Sequence, residues 1–565
     1  MAKDTVEVWI EGGGKETLTQ QHYKASGGEG TVYQKGGLAY KIMHPGHGVI
    51  PKKKMQELHC IKANNVLIPL NYLLDSKGNP IGFTMKYVQD VDSLCKLFNI
   101  GFKQKSGLSP NDIIDLVREK QKTLQMIHDA NILVVDFNQM NFLVDTRTFK
   151  IPYFIDTDSY QTPSFKATAI MECIRDRSVP RGQFSVYSDW FSWGVVTFWL
   201  YIGTHPYRGK HANYGNNDWC GKRMDDNISL FDPNVTMPAN CCDLSVIPKA
   251  HLEWYKTIFT TNDRSIPPLP DGQVVIVAGI QVKDVADFTV TKVFEYDSQI
   301  RRIFQEKNVR YVITKEKLWA DDTPVFNCPV KYDYVGFTKV EDGDVPLFVA
   351  LKDGRLCIYD WKKKKVIHES PVENLMVHGG HVYTQSGNRL IKHTCTQIYD
   401  RTIYSVKEVA NIFGPACSFF DGVIVQDVLG KCRLAIPDKD DDFVNIPIPE
   451  LDGTRVIDAK YVKGTCVVIT EKSGEITRYV LTFSNSRSNY HVRTSEADIG
   501  DSADFIVKAY GLCVSPVEGG DLETWSGNQS KIFKKSPVPM GALMYTENGK
   551  TMFAIDNKLY LVEKK

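Results

Sequence analysis

The chain has no Cys-x-x-Cys pair, no apolar leader, no long hydrophobic run and almost no surplus of either charge. Each absence excludes something. Thirteen cysteines occur in 565 residues without ligand spacing, and Cys241-Cys242 is vicinal, a poor geometry for an ordinary disulfide. Such usage reads as reduced thiols, not as a disulfide framework or a zinc site. The opening MAKDTVEVWIEGGGKE has no apolar core, so no signal peptide is expected. The most membrane-like stretch, Trp190 to Ile202, covers thirteen residues, too few to span a bilayer but suited to a buried helix. A formal net charge of +1 lacks the bulk basic signature of a non-specific nucleic-acid binder. Together these absences predict a cytoplasmic protein with neither a membrane nor bulk nucleic acid as partner.

What is present is an ordinary globular composition, 42% hydrophobic and 24% charged. That excludes a disordered, collagen-like or coiled-coil chain, and the length predicts two to four domains. Up to about residue 270, short strands mix with long helices. Ser109-Pro110-Asn111-Asp112 reads as a helix start, with Ser as N-cap, Pro at N1 and a carboxylate at N3. Ile113, Ile114, Leu116, Val117, Leu124 and Ile127 then follow a helical period. The Pro-rich run Ile266 to Gly272 is the best boundary, which predicts domains over 1–272 and 285–565.

Beyond the boundary the helical period disappears. Short β-branched and aromatic runs alternate with turns centred at Lys315-Glu316, Asp353-Gly354, Ser386-Gly387, Leu429-Gly430, Ser473-Gly474, Gly519-Gly520 and Asp556-Asn557. Their spacings run from 33 to 46 residues. Four strands per unit at a period near forty predicts a β-propeller of seven blades, with a pair of β-sandwiches as the alternative. Raw edges in the first and last units would be a liability. Residues 286–296 are therefore expected to pair with the C-terminal strand and close the ring.

The first domain carries the chemistry-bearing residues. Gly27, Gly28 and Gly30, with Val32 beside them, join two strands in a loop whose amides can approach a phosphate. Lys41 sits in the apolar strand Ala39 to Ile42, where an ammonium is costly unless paired, and Glu57 is the expected partner. Later, an apolar run ends in Asp136, with Asn138 and Asn141 following, and a second ends in Asp156 and Asp158. Carboxylates emerging from apolar strands suit magnesium–nucleotide chemistry.

In this order, the first 270 residues resemble an atypical bacterial- or phage-type member of the eukaryotic-like protein kinase superfamily. Gly27, Gly28 and Gly30 match the Gly-rich loop, Lys41 the strand lysine and Glu57 its helical partner. Asp136 and Asn141 match the catalytic-loop Asp-x4-Asn, and Asp156 the metal-binding aspartate, with Asp158 as the alternative. Ser188 to Gly194, Gly203 to Tyr207 and Arg264 match later structural elements. The resemblance implies an α+β bilobal kinase-like domain followed by the all-β propeller. It implies ATP and Mg2+ as cofactors and a Ser/Thr-type protein kinase activity.

In that activity Lys41, oriented by Glu57, would hold phosphates beneath the loop, with Val32 and Asn138 beside the nucleotide. Asn141 and Asp156 would hold the metal, and Asp136 would act as base. A protein substrate or partner would dock on the propeller. The alternative function is a catalytically weak ATP-binding scaffold. Three departures bear on that alternative. Val134-Val135 replaces the usual His-Arg, Asn138 replaces a lysine, and Asp156-Thr157-Asp158 replaces Asp-Phe-Gly.

Overall fold

The computed structural model describes residues 5–168, 170–215, 218–238, 241–270, 282, 284–328, 334–438, 442–472, 475–498, 500–508, 511–517, 520–527, 529–539 and 541–565. It is mostly β, and it divides into two compact units. One is Met1–Phe98 with Ser109–Gly279; the other is Asn99–Leu108 with Ile280–Lys565. Gly272, where the sequence places the first boundary, lies outside the described residues. The ten residues 99–108, read from sequence as part of the first domain, group with the second unit.

The first unit opens with a seven-stranded sheet of β1 (Thr5–Ile10), β2 (Lys15–Thr19), β3 (Tyr23–Ser26), β4 (Gly30–Lys35), β5 (Leu38–Met43), β6 (Pro69–Leu74) and β7 (Pro80–Lys86). Its order is β2-β1-β6-β7-β5-β4-β3. Helix α1 (Lys52–Leu58) falls between β5 and β6. A three-stranded sheet follows, built from β8 (Val91–Ser93), β9 (Phe142–Asp145) and β10 (Pro152–Phe154).

Helix α2 (Ile100–Lys105) belongs to the second unit; α3 (Pro110–Asp129) returns to the first. The expected start of α3 is present. Ser109 Oγ accepts from the Asp112 amide while Asp112 Oδ2 accepts from the Ser109 amide at 2.9 Å. The apolar face read from the sequence is buried, with Ile113, Ile114, Leu116, Val117, Leu124 and Ile127 all in the core.

The expected core helix is α4 (Val186–Ile202), capped by Ser185 and ended by Gly203 at φ +85°. Every residue from Ser188 to Ile202 is buried, so beyond its first two residues this helix has no solvent face, and its low amphipathicity follows. Helix α5 (Lys222–Asp225) is one turn, and α6 (Lys249–Thr260) packs across α4. A Cβ on Gly194 would meet Ile258 Cδ1 at 2.8 Å and the Trp254 ring at 3.0 Å, so only glycine allows this approach.

The second unit contains seven sheets among the described residues. Four consecutive strands build each of the sheets beginning at Ile300, Cys417, Arg455 and Ile506. The expected turn chemistry is present. Asp353, Gly354, Gly387, Leu429, Gly430, Gly520 and Asp556 all have positive φ. Ser473, Gly474 and Gly519 lie outside the described residues. The hairpin Arg389–Ile398 with Arg401–Asn411 is longer than the sequence pattern suggests, and its outer strand makes a fifth member of one sheet. Strand Phe288–Glu295 pairs antiparallel with Lys558–Lys564, as the edge argument requires.

The second unit also encloses α2. Asn99 Nδ2 donates to the Asp501 carbonyl at 2.9 Å, and Gln104 Nε2 donates to the Ile300 carbonyl at 2.9 Å. Gly101 lies against Gly541, where a Cβ would fall 2.6 Å from the Gly541 oxygen.

Candidate functional site

Lys41 is held in β5 between Val32 of β4 and Phe83 of β7. Alternation turns its side chain inward, and its ammonium stands 5.6 Å from the centroid of the Phe83 ring. Its partners are carboxylates from the segment after β10. Nζ donates to Asp156 Oδ1 at 2.8 Å and to Asp158 Oδ2 at 2.9 Å, with Glu29 Oε2 at 4.0 Å. Burial opposes the ammonium charge, but the two aspartates more than offset it and hold the group protonated above the ordinary lysine value. Burial pushes the Asp158 carboxyl up, and the charge of Lys41 pulls it back.

Glu57 is not the partner. Its Oε2 accepts from the Ser164 amide at 3.2 Å, and the Ser164 and Thr162 side chains, with that amide, keep its carboxyl below the usual range. The inward positions of α1 are Lys54, Met55 and Leu58, and Glu57 flanks them. Lys54 is buried and donates to the Asp158 carbonyl at 2.7 Å. Burial lowers its pKa, while Asp158 and Glu57 act in the opposite direction. The signal was available, because Lys54 shares the i, i+4 row with Leu58 and lies next to Met55.

The Gly-rich segment is a loop between β3 and β4, closed by the Gly27 amide donating to the Gly30 carbonyl at 2.9 Å. His44 ties it down. Its ring contacts Thr31 Oγ1 at 3.0 Å, and its amide donates to the Glu29 carbonyl at 2.7 Å. Gly30 is required by packing, since a Cβ there would lie 2.6 Å from the Ile42 carbonyl oxygen. Gly27 and Gly28 differ, because a Cβ at either meets nothing within 4 Å. The fold does not demand glycine at these two positions. Val32 is part-buried, facing Lys41 across the ladder.

The loop from Ile132 to Asn141 is positioned by α4. Asp189, buried in the first turn of that helix, accepts from the amides of Val134 at 2.8 Å and Val135 at 3.0 Å, and its Oδ2 meets His128 Nε2 at 3.0 Å. Those bonds hold Val135 at φ +62°, unusual for a β-branched residue, and turn Asp136 out of the apolar run. Asp136 Oδ1 accepts from the amides of Met171 at 3.1 Å and Asn138 at 3.3 Å. Burial raises the Asp136 carboxyl, those amides lower it, and the nearby Asp156 charge raises it again, for a net rise.

Asn141 Nδ2 lies 3.3 Å from the Asp136 carbonyl oxygen and 3.5 Å from Oδ2, and the Asn141 carbonyl accepts from the Ile155 amide at 3.0 Å. This last bond links the Asp136 loop to the Asp156 segment. Asn138 Oδ1 caps the short turn Gln139–Asn141 by accepting from the Met140 amide at 3.0 Å. That acceptor is spent locally.

Asp156 itself is left-handed at φ +60°. Thr157 behind it is buried and donates to the Leu67 carbonyl at 2.9 Å. Oxygen atoms of Glu29, Asp156 and Asp158 lie within 4.8 Å of one another, a donor set that suits a hard divalent cation. Glu29 went unremarked in the sequence because it sits among glycines. Arg264, matched to a late structural arginine, forms a bidentate pair with buried Asp176, both bonds at 2.8 Å.

Most sequence-derived site residues thus gather around Lys41, Asp136 and Asp156. Glu57 turns toward Ser164, and Asn138 caps its own turn. A scan against protein-family models finds none that matches this chain, and a search of curated proteins finds no similar sequence.

Proposed function

We propose that the first unit is a bilobal kinase-like domain that transfers the γ-phosphoryl group of ATP to a Ser or Thr hydroxyl, and that the second is a seven-bladed propeller that docks the protein substrate. The observation that carries the reading is the convergence of Lys41 with Asp156 and Asp158, joined through the Asn141 carbonyl to the loop bearing Asp136. The seven sheets and the pairing of Phe288–Glu295 with the last strand support the propeller.

In this mechanism the ATP phosphates approach the amides of Gly27 and Gly28, where no packing reason for glycine exists. Lys41 then exchanges a carboxylate for phosphate oxygens. Asn141, Asp156 and Asp158, with Glu29, offer oxygen ligands to Mg2+, which when bound would neutralise phosphate charge. Asp136 accepts the hydroxyl proton as the acceptor oxygen bonds to phosphorus and the bond to the ADP oxygen breaks. Its raised carboxyl suits a base better than an ordinary aspartate would.

A non-catalytic ATP-binding scaffold is the second reading, favoured by the turn of Glu57 toward Ser164. Radiolabelled ATP with intact protein separates the two. The kinase reading expects phosphate incorporation that falls by two or more orders of magnitude in Asp136→Asn. Equal incorporation by the variant would remove Asp136 from its role.

A further inference from the structure

In the second unit, the sheets beginning at Arg455 and Ile506 meet through a buried charged cluster. Arg478 of strand Glu475–Phe483 and Arg493 of strand Tyr490–Glu496 lie on one face of their sheet, because Arg478 opposes Ser495 and Val480 opposes Arg493. Glu523 and Trp525, two residues apart on strand Asp521–Ser526, share one face of the next sheet. Arg478 Nη1 donates to Glu523 Oε2 at 2.9 Å, and Arg493 Nη1 pairs with Glu523 Oε1. Both guanidinium groups lie within 6 Å of the Trp525 ring centroid.

Two cations thus share one carboxylate, and the donors outnumber the acceptors. Among the described residues, Arg478 Nε, Arg478 Nη2, Arg493 Nη2 and Trp525 Nε1 are all buried without a hydrogen-bond partner. The side chain of Arg478 is only 5% exposed and that of Glu523 4%. The next carboxylate whose charge reaches Arg478 is Asp501, and its Oδ2 accepts from the Asp498 amide at 2.9 Å. The thiol of Cys513 faces the same group and is held protonated, its pKa pushed up to about 11 by burial. An unmet buried donor forfeits its hydration without recompense, so four in one cluster call for an acceptor.

We propose that Arg478, Arg493 and Trp525 form a binding site for a tetrahedral oxyanion, a phosphate or a phosphoryl group. Such a group offers three or four acceptor oxygens, and two arginine forks beside an indole N–H match it. Glu523 takes Nη1 of each guanidinium, which leaves Arg478 Nε and Nη2 and Arg493 Nη2 for the anion. Entry is past Arg493, whose side chain is 32% exposed on the outermost strand of its sheet. The site is independent of the nucleotide reading of the first unit, since none of its residues belongs to that unit.

The test is calorimetric titration of the full chain with inorganic phosphate and, separately, with phosphoserine, at constant ionic strength set by chloride. Saturable binding is expected in the wild type and in Lys41→Met, which removes the phosphate-binding lysine of the first unit. Arg493→Gln should weaken it at least tenfold. Glu523→Gln should strengthen it, because the competing carboxylate is gone. Tighter phosphoserine binding would identify the ligand as a phosphorylated side chain, and equal or weaker binding would identify free phosphate. The proposal is overturned if wild type shows no saturable binding, if Arg493→Gln binds equally, or if binding vanishes in Lys41→Met. Absence of binding with ordered waters on the four donors would assign them to solvent instead.

Discussion

At the scale of single residues, neighbours settle what chemistry a side chain can perform. Lys41 was expected to need a carboxylate, and it has two, but both come from beyond β10 and neither is Glu57. His205 makes the same point for protonation. Its Nδ1 accepts from the Tyr207 amide at 3.2 Å, so the proton sits on Nε2, which donates to the Cys173 carbonyl at 2.8 Å.

Burial, with the charges of Arg208 and Arg223, lowers the His205 pKa from 6.5 to about 3. Between those values the unfolded chain binds the proton and the folded chain does not. This contribution is therefore complete above pH 6.5 and is lost as pH falls, by about 1.4 kcal/mol per unit. Urea unfolding from pH 7 to pH 4 should show the stability advantage over His205→Gln shrinking steadily. A constant difference would show that His205 does not titrate in this way.

At the scale of elements, the helix and strand signals in the sequence translate directly into structure. The capping box of α3, the uniformly buried α4 and the positive-φ turns of the second unit are local and periodic features. What joins the elements is less local. Asp189 links the first turn of α4 to a loop 54 residues earlier, satisfying two backbone amides and a histidine with one carboxylate. Its motif position was legible, but its hydrogen bonds were not.

Asp189→Ala would leave those three donors buried without an acceptor. The expected loss is about 3–5 kcal/mol of stability, measured as a fall in the urea midpoint. Asp189→Asn should cost less because an amide oxygen still accepts. If alanine and asparagine cost the same small amount, the loop is held by something other than this carboxylate. Lys54 belongs to this scale too, since its place in α1 and not its charge directs it inward.

At the scale of the whole molecule, the second unit pairs a strand near the start of its long segment with its last strand. Strand Lys558–Lys564 lies between Phe288–Glu295 and Lys550–Ile555, so it is internal to its sheet. Leu559 and Val562 on it are buried, and each contributes about 1.5–3 kcal/mol by burial alone. Ending the chain after Asn557 should remove that strand and expose two edges. The expected result is a lower melting transition with dye-accessible apolar surface and a tendency to associate. An unchanged melting profile would show that the unit does not rely on this closure.

The sequence by itself determined the elements. Apolar period, cap residues and turn residues act over a few positions, and their energetics are the same wherever the chain goes. It also marked candidate residues of the first unit, because carboxylates and a lysine in apolar strands are costly without a partner. Only the tertiary structure decided which of these meet. The exchange of Glu57 for Asp156 and Asp158, and the inward turn of Lys54, depend on where α1 and the segment after β10 lie. The gathering of Asn99–Leu108 into the second unit, with Asn99 bonded 402 positions away, depends on contacts that no local pattern encodes. Long-range partners are chosen by packing and by satisfying buried polar groups. Both are properties of the assembled fold.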